Sequence, residues 1–167
     1  MKRVGEELLL DYKQMKNLMK YRDKYSDYAL VRKLLNFLID SKRKKFVYRY
    51  SCDISPICTL GKIDFRHPVG IIIGAGVIIE DEVTVLQNVT IGAYHLDGKI
   101  PETHIKKGTL IGAGAAILGS VCIGKNCIIG ANSVVTKDVP DNSIVVGVNR
   151  IVPRKANDDY LVRKEKI

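Results

Sequence analysis

Two different hydrophobic periods divide the chain. From about residue 50 to 140 an aliphatic side chain recurs at every sixth position: Ile73, Ile79, Val85 and Ile91 keep step, and after an interruption Ile105, Ile111, Ile117, Ile123, Ile129 and Val135 keep step again. Four residues after each comes a second small or β-branched position, at Val77, Val83, Val89, Thr109, Ala115, Val121, Cys127, Ser133 and Val139, with His95 the one exception. Glycine often follows the aliphatic directly, at Gly74, Gly92, Gly112, Gly124 and Gly130 and, in an earlier partial repeat, at Gly61. A helix would space apolar residues by 3.6 and a hairpin sheet by two, so a strict six fits neither. The period predicts short strands joined by turns and wound into a β-solenoid, in which each coil stacks its aliphatics on the next. Glycine at the turns accepts backbone conformations that a Cβ penalises.

Residues 1–50 follow the other period. They are rich in charge, lack glycine after Gly5 and lack proline, and place apolar residues such as Leu18, Tyr21, Tyr25, Tyr28, Leu35, Phe37 and Leu38 at helical spacing. Two or three helices are expected, with one break near Lys24 to Asp27 and another after Asp40. Residues 153–167 open with a proline and turn polar, as a short helix or a tail would. The expected organisation is therefore a helical region over 1–50, a solenoid domain over 51–152 and a tail over 153–167.

The interruption of the six-residue period marks a loop. Fourteen residues separate Ile91 from Ile105 where two hexapeptides would take twelve, and Tyr94 to Thr103 drop the pattern. Two arrangements stay open: two residues added to a complete coil, or eight added to an incomplete one. Loops carried on a rigid scaffold are favoured places for function.

A length of 167 residues and a mass of 18.6 kDa suit a single domain with short appendages. The net charge of +9 is unevenly spread: residues 1–50 hold 14 basic and 6 acidic side chains, 51–149 hold 7 and 9, and 150–167 hold 6 and 3. A solvated helical surface accounts for such ends; so does attraction to an anionic partner such as a membrane surface, a polyanion or an acidic substrate. A nucleic-acid partner is not expected. No apolar run approaches the roughly 18 residues that span a bilayer. No secretory signal is visible near Leu8 to Leu10, so a cytoplasmic location is expected. Cys52, Cys58, Cys122 and Cys127 form no CxxC pair and are expected to be reduced core residues rather than a disulfide frame or metal site. His67 stands six before Ile73, and that count places an imidazole in a column slot otherwise held by Val or Ile.

The stretches Asp53-Ile54-Ser55-Pro56, His67-Pro68-Val69-Gly70-Ile71, Val85-Leu86-Gln87-Asn88-Val89-Thr90-Ile91-Gly92, Ile111-Gly112-Ala113-Gly114-Ala115, Ile117-Leu118-Gly119 and Ala131 to Pro140 together carry a resemblance. Over residues 53–152 the chain resembles the catalytic half of serine acetyltransferases and the related sugar O-acetyltransferases. The resemblance implies a left-handed parallel β-helix with three hexapeptides per coil, so that Ile73 stacks with Ile91 and Ile111 with Ile129. Each of these four is followed by Gly-Ala, and the resemblance makes Gly112-Ala113 over Gly130-Ala131 a small-residue ledge for the pantetheine arm of acetyl-CoA. It implies His67 as general base, Asp53 as its orienting carboxylate, an oxyanion donor near Gly92, and Lys137 with Arg150 or Arg154 as cations for the CoA phosphates. No metal is implied, because thiolate is an acceptable leaving group. The resemblance also implies a homotrimer with active sites between subunits.

Two departures bear on the acceptor. The family typically places an aspartate before the catalytic histidine, where this chain has Arg66, and an Arg-His pair in the loop, where an ungapped alignment puts Pro101 and Glu102. The expectation is therefore acetyl transfer from acetyl-CoA to a sugar or polysaccharide-precursor hydroxyl, with Arg66 and Glu102 near the acceptor. Serine acetylation is the alternative, supported by the resemblance and by Ile167, which is similar to a terminal isoleucine that docks into the next enzyme in that family. A zinc enzyme of the γ-carbonic-anhydrase type would need His67, His95 and His104 to converge, and their spacings of 28 and 9 do not match that family's close pair. A non-catalytic binding scaffold is the remaining class.

Overall fold

The computed structural model describes residues 2–92 and 102–153. Among these residues two helices, α1 (Lys2–Lys24) and α2 (Ala29–Tyr50), precede fifteen short strands. The break between the helices falls where the sequence puts it. The second expected break, after Asp40, does not exist: α2 runs unbroken from Ala29 to Tyr50 and ends at Ser51, whose left-handed conformation lets its N–H bond back to the Val47 carbonyl. No proline or glycine interrupts Asp40-Ser41-Lys42, so nothing there removes a helical hydrogen bond.

The strands form a three-sided prism of parallel sheets. Face one holds β1 (Asp53–Ile54), β4 (Ile72–Ile73), β7 (Thr90–Gly92), β10 (Ala116–Leu118) and β13 (Val134–Val135) in that order. Face two holds β2 (Thr59–Leu60), β5 (Val77–Ile79), β8 (Thr103–Ile105) and β11 (Cys122–Ile123). Face three holds β3 (Asp64–Phe65), β6 (Thr84–Val85), β9 (Leu110–Ile111), β12 (Ile128–Ile129), β14 (Ser143–Val146) and β15 (Arg150–Pro153). The coil is a left-handed β-helix. Register follows the period: Ile73 pairs with Ile91, and Ile111 with Ile129.

The inserted loop is settled by the same registers. Ile91 lies on face one and Ile105 on face two, so the step that normally takes six residues takes fourteen, and the loop adds eight. Pairing then resumes in step, with Ile91 opposite Ile117 and Val85 opposite Ile111.

The aliphatic columns are fully buried, and the second position of each repeat closes the prism from its corners: Val83, Val89, Thr109, Ala115 and Ser133 are all at or below 1% exposure. Thr109 survives there because its hydroxyl donates to the Gly124 carbonyl at 2.8 Å. Several corner residues turn in the left-handed region, and most of these places hold glycine or asparagine: Gly70, Gly108 and Gly114 lie beneath Asn88, Asn126 and Asn132 of the next coil.

Both ends of the prism are covered, as a solenoid requires. At the far end β15 closes face three antiparallel to β14. At the near end the helices sit on the first coil: Gly5 of α1 lies so close to Phe65 that a Cβ would come within 2.8 Å of its carbonyl oxygen, and the Tyr12 hydroxyl donates to the Cys58 carbonyl at 2.6 Å. Leu8, Tyr12, Met15, Ile39, Phe46 and Tyr50 join the solenoid aliphatics in one continuous core.

Candidate active site

The expected site residues sort onto corners of the prism. Where face three turns into face one, the chain passes Arg66 and His67 in the first coil, Leu86 and Gln87 in the second, Gly112 and Ala113 in the third, and Gly130 and Ala131 in the fourth. Coils are spaced by the strand separation of about 4.8 Å, so His67 and the Gly112 coil are on the order of 10 Å apart along one edge. Gly92, Glu102 and Lys137 lie instead where face one turns into face two. A single chain does not bring these three to the His67 edge. Arg154 lies outside the described residues, as do His95, the tail over 154–167 and most of the inserted loop.

His67 does not stand in the aliphatic column. The column residues on either side are Phe65 and Ile73, eight apart rather than six, and the two extra residues bulge outward. Counting back six from Ile73 misses this insertion. The ring is exposed, the residue sits at φ 53°, and its carbonyl accepts the Val69 N–H at 2.7 Å. Positive φ alone does not mark it as functional, because Asn88, Asn126, Asn132 and Asn142 adopt the same region. What distinguishes it is an accessible imidazole with no side-chain partner among the described residues, fixed at its backbone by Pro68 and by the Gly70 N–H to the Ser51 carbonyl.

Asp53 opens β1 on the same side of the prism, but its carboxylate is held from the helices. Arg43 of α2 grips it with Nη2 at 2.9 Å from each oxygen and Nε at 3.2 Å from Oδ1. No hydrogen bond joins Asp53 to His67 in this structure. Arg66 turns back on its own strand and donates from Nε to Asp64 at 2.9 Å, leaving a half-exposed ion pair beside the imidazole.

The Gly-Ala pairs line an apolar groove of about 320 Å³, bounded also by Leu86, Leu110, Ile128, Ile144 and Val146. The close approach of coils needs glycine here: a Cβ on Gly112 would lie 2.6 Å from the Ala131 amide nitrogen, and one on Gly130 would lie 2.9 Å from the Val145 carbonyl oxygen. A narrow channel with backbone within reach suits a slender, amide-bearing chain better than a bulky ring. Gly92 packs elsewhere, against Gly74 of the coil before. Lys137 is exposed and has no ion-pair partner among the described residues.

Three features escaped the sequence. Gln87 carries a buried Oε1 with no hydrogen-bond partner among the described residues, an arrangement that costs free energy unless a ligand or water supplies a donor. It lies one coil above His67, between the bonds from Arg66 N–H to the Val85 carbonyl and from Asn88 N–H to the Val69 carbonyl. The second is Arg43, which no local spacing connects to Asp53. The third is the contact of His104 Nε2 with Glu80 at 2.9 Å on face two; the Glu80 carboxyl is held below its usual range, first by the Lys107 backbone N–H and then by His104.

The three-sided coil is the fold of the hexapeptide-repeat left-handed β-helices, and the comparisons with known proteins point the same way. Residues 102–137 match the family described as bacterial transferase hexapeptide (six repeats). More particularly, the chain is similar to serine acetyltransferases. It is 40% identical over 120 residues to the serine acetyltransferase of Buchnera aphidicola subsp. Acyrthosiphon pisum, covering 70% of this chain and 44% of that one. It is 37% identical over 111 residues to the serine acetyltransferase of Escherichia coli strain K12, covering 66% and 41%. Among solved structures, a truncated serine acetyltransferase apoenzyme superposes with a TM-score of 0.74 at 32% identity, over 89% of this chain and 57% of that chain. The serine acetyltransferase of Brucella abortus strain S19 in complex with coenzyme A gives 0.76 at 29% identity, over 90% and 56%. The chain thus spans less than half the length of these curated relatives.

Proposed function

We propose that the protein is an acetyl-CoA-dependent O-acetyltransferase, with His67 as general base and the groove at Gly112-Ala113 and Gly130-Ala131 as the seat of the pantetheine arm. The observation that supports this reading is that one edge of the prism holds both an accessible imidazole, without a side-chain partner among the described residues, and an apolar groove floored by backbone. A neutral alcohol attacks a thioester slowly, and a positioned imidazole accelerates the attack by taking the hydroxyl proton as the C–O bond forms. The tetrahedral oxyanion collapses, the C–S bond breaks, and the departing thiolate takes the proton from the imidazolium. Atoms and charge balance without a metal. Asp53 serves as the orienting carboxylate when a rotation of its side chain or of Arg43 frees one oxygen for the ring.

The homotrimer belongs to the same reading. Threefold packing would set the corner bearing Gly92, Glu102 and Lys137 of one chain against the corner bearing His67 of its neighbour, uniting two half-sites. Mixing inactive His67→Ala and Lys137→Glu chains then restores activity.

The names of the relatives favour serine as acceptor over the sugar hydroxyl that the sequence departures suggest. The sugar reading keeps one specific observation in its support: the residue before His67 is Arg66, a cation where an amino acid's ammonium would call for an anion, and its guanidinium is only half engaged by Asp64. Thiol release from acetyl-CoA, measured side by side with free serine and a panel of sugars, tests the order. Faster turnover with serine supports the serine acceptor, faster turnover with a sugar reverses it, and no thiol release with any hydroxyl sinks the enzyme reading.

A further inference from the structure

Helix α2 has two apolar faces, and only one of them is packed. Ile39, Phe46 and Tyr50 point into the core. On the opposite side of a 3.6-residue wheel lie Leu30, Leu34, Phe37 and Tyr48, which are 83%, 59%, 69% and 88% exposed. Lys33, Lys44 and Lys45 flank this stripe within roughly 60° on either side. None of the three has an ion-pair partner among the described residues. The helix as a whole carries seven basic side chains and one acidic one, Asp40.

We propose that this outer face of α2 seats the protein on an anionic lipid surface, the apolar stripe entering the headgroup boundary and the flanking lysines meeting lipid phosphates. An exposed apolar stripe bordered by lysines is what an interfacial helix presents. The ring side chains suit that depth, where Tyr48 keeps its hydroxyl in the polar layer while its ring is buried. Charge selects the occupant. A second copy seated face to face would bring the three lysines flanking one stripe against the three of the other, with Asp40 the one carboxylate each helix could offer, whereas an anionic leaflet supplies the missing sign. Association is lateral, since no helix among the described residues is long and apolar enough to cross a membrane. The solenoid edge with His67 stays outside this contact, so the proposal stands independently of the acceptor and of the acetyl-transfer reading.

Flotation of the full chain with vesicles tests it. The protein co-floats with phosphatidylcholine vesicles containing phosphatidylglycerol and binds vesicles of phosphatidylcholine alone at least about tenfold more weakly. The double variant Leu34→Ser with Phe37→Ser, both residues lying on the surface, loses about tenfold or more in vesicle affinity. Replacing Lys33, Lys44 and Lys45 by Gln costs roughly a hundredfold. Absence of binding to the anionic vesicles overturns the proposal, as does unchanged binding by the apolar double variant. It is overturned equally if that variant dissociates a larger assembly of the wild type while vesicle binding stays the same, because the stripe is then covered by another copy.

Discussion

The solenoid and the helical pair share one core, yet they hold their apolar side chains in opposite ways. A column aliphatic such as Ile117 is enclosed above and below by the same position of neighbouring coils, Ile91 and Val135. A residue of α2 meets a partner on one side only, and the other side carries Leu34 and Phe37 into solvent. Repetition fixes the surroundings of every column residue at once. In the helices, burial depends on which element happens to lie opposite.

The sharpest way to break this contrast is to truncate the column. Ile117→Ala leaves a cavity that stacked coils cannot close by shifting, and it lowers unfolding free energy by about 2–5 kcal/mol in urea titration. A loss under about 1 kcal/mol would mean that the coils are not rigidly stacked.

The junction between the regions comes next. Cys58 lies beneath Tyr12 of α1, and burial pushes its thiol up from the ordinary 9.0 to about 11. The folded state therefore keeps this proton after the unfolded chain has lost it. Stability from this group is intact below about pH 9 and falls as pH rises through 11. Thermal midpoints followed through that window decline in the wild type, and the decline flattens in Cys58→Ala. The same thiol resists alkylation at neutral pH in the folded protein, because the thiolate is the reactive form.

A third test separates the groove from the core beneath it. Ala131 lines the groove but is exposed, so Ala131→Leu fills the channel without disturbing a column. It raises KM for acetyl-CoA about tenfold with the unfolding midpoint unmoved, read from initial rates and denaturation together. An unchanged KM would detach the donor from this groove. Smallest is the effect on the outer face of α2, where Leu34→Ser shifts stability by no more than about 0.5 kcal/mol. A larger loss would show the face to be packed.

What was legible in the sequence follows the same division. The columns could be counted out because every coil repeats the constraint, and the three hexapeptides per coil that the resemblance implied then set Ile73 on Ile91, Ile111 on Ile129 and one Gly-Ala pair over the other. The count failed where a coil departs from six. Between Phe65 and Ile73 two extra residues lift His67 out of the column, and no neighbouring repeat reveals them. In the helices the break near Lys24 to Asp27 was visible, whereas the expected break after Asp40 is absent because Ser41 to Lys45 continue α2 and dock it, Lys42 on Gln14 of α1 and Arg43 on Asp53. The grip of Arg43 on Asp53 depends on docking a helix against the first coil, and the orphaned Gln87 oxygen depends on what stands one coil below it. Neither is encoded in spacing.

The acetyl-transfer reading turns on the imidazole that shares a prism edge with the groove, and the direct test is thiol release from acetyl-CoA by His67→Ala beside the wild type, with acetyl-CoA affinity measured on both. Because the ring is exposed, its removal leaves the fold intact. The account predicts a turnover loss of roughly 10²–10⁴ with donor affinity unchanged. Turnover within a fewfold of the wild type would contradict it.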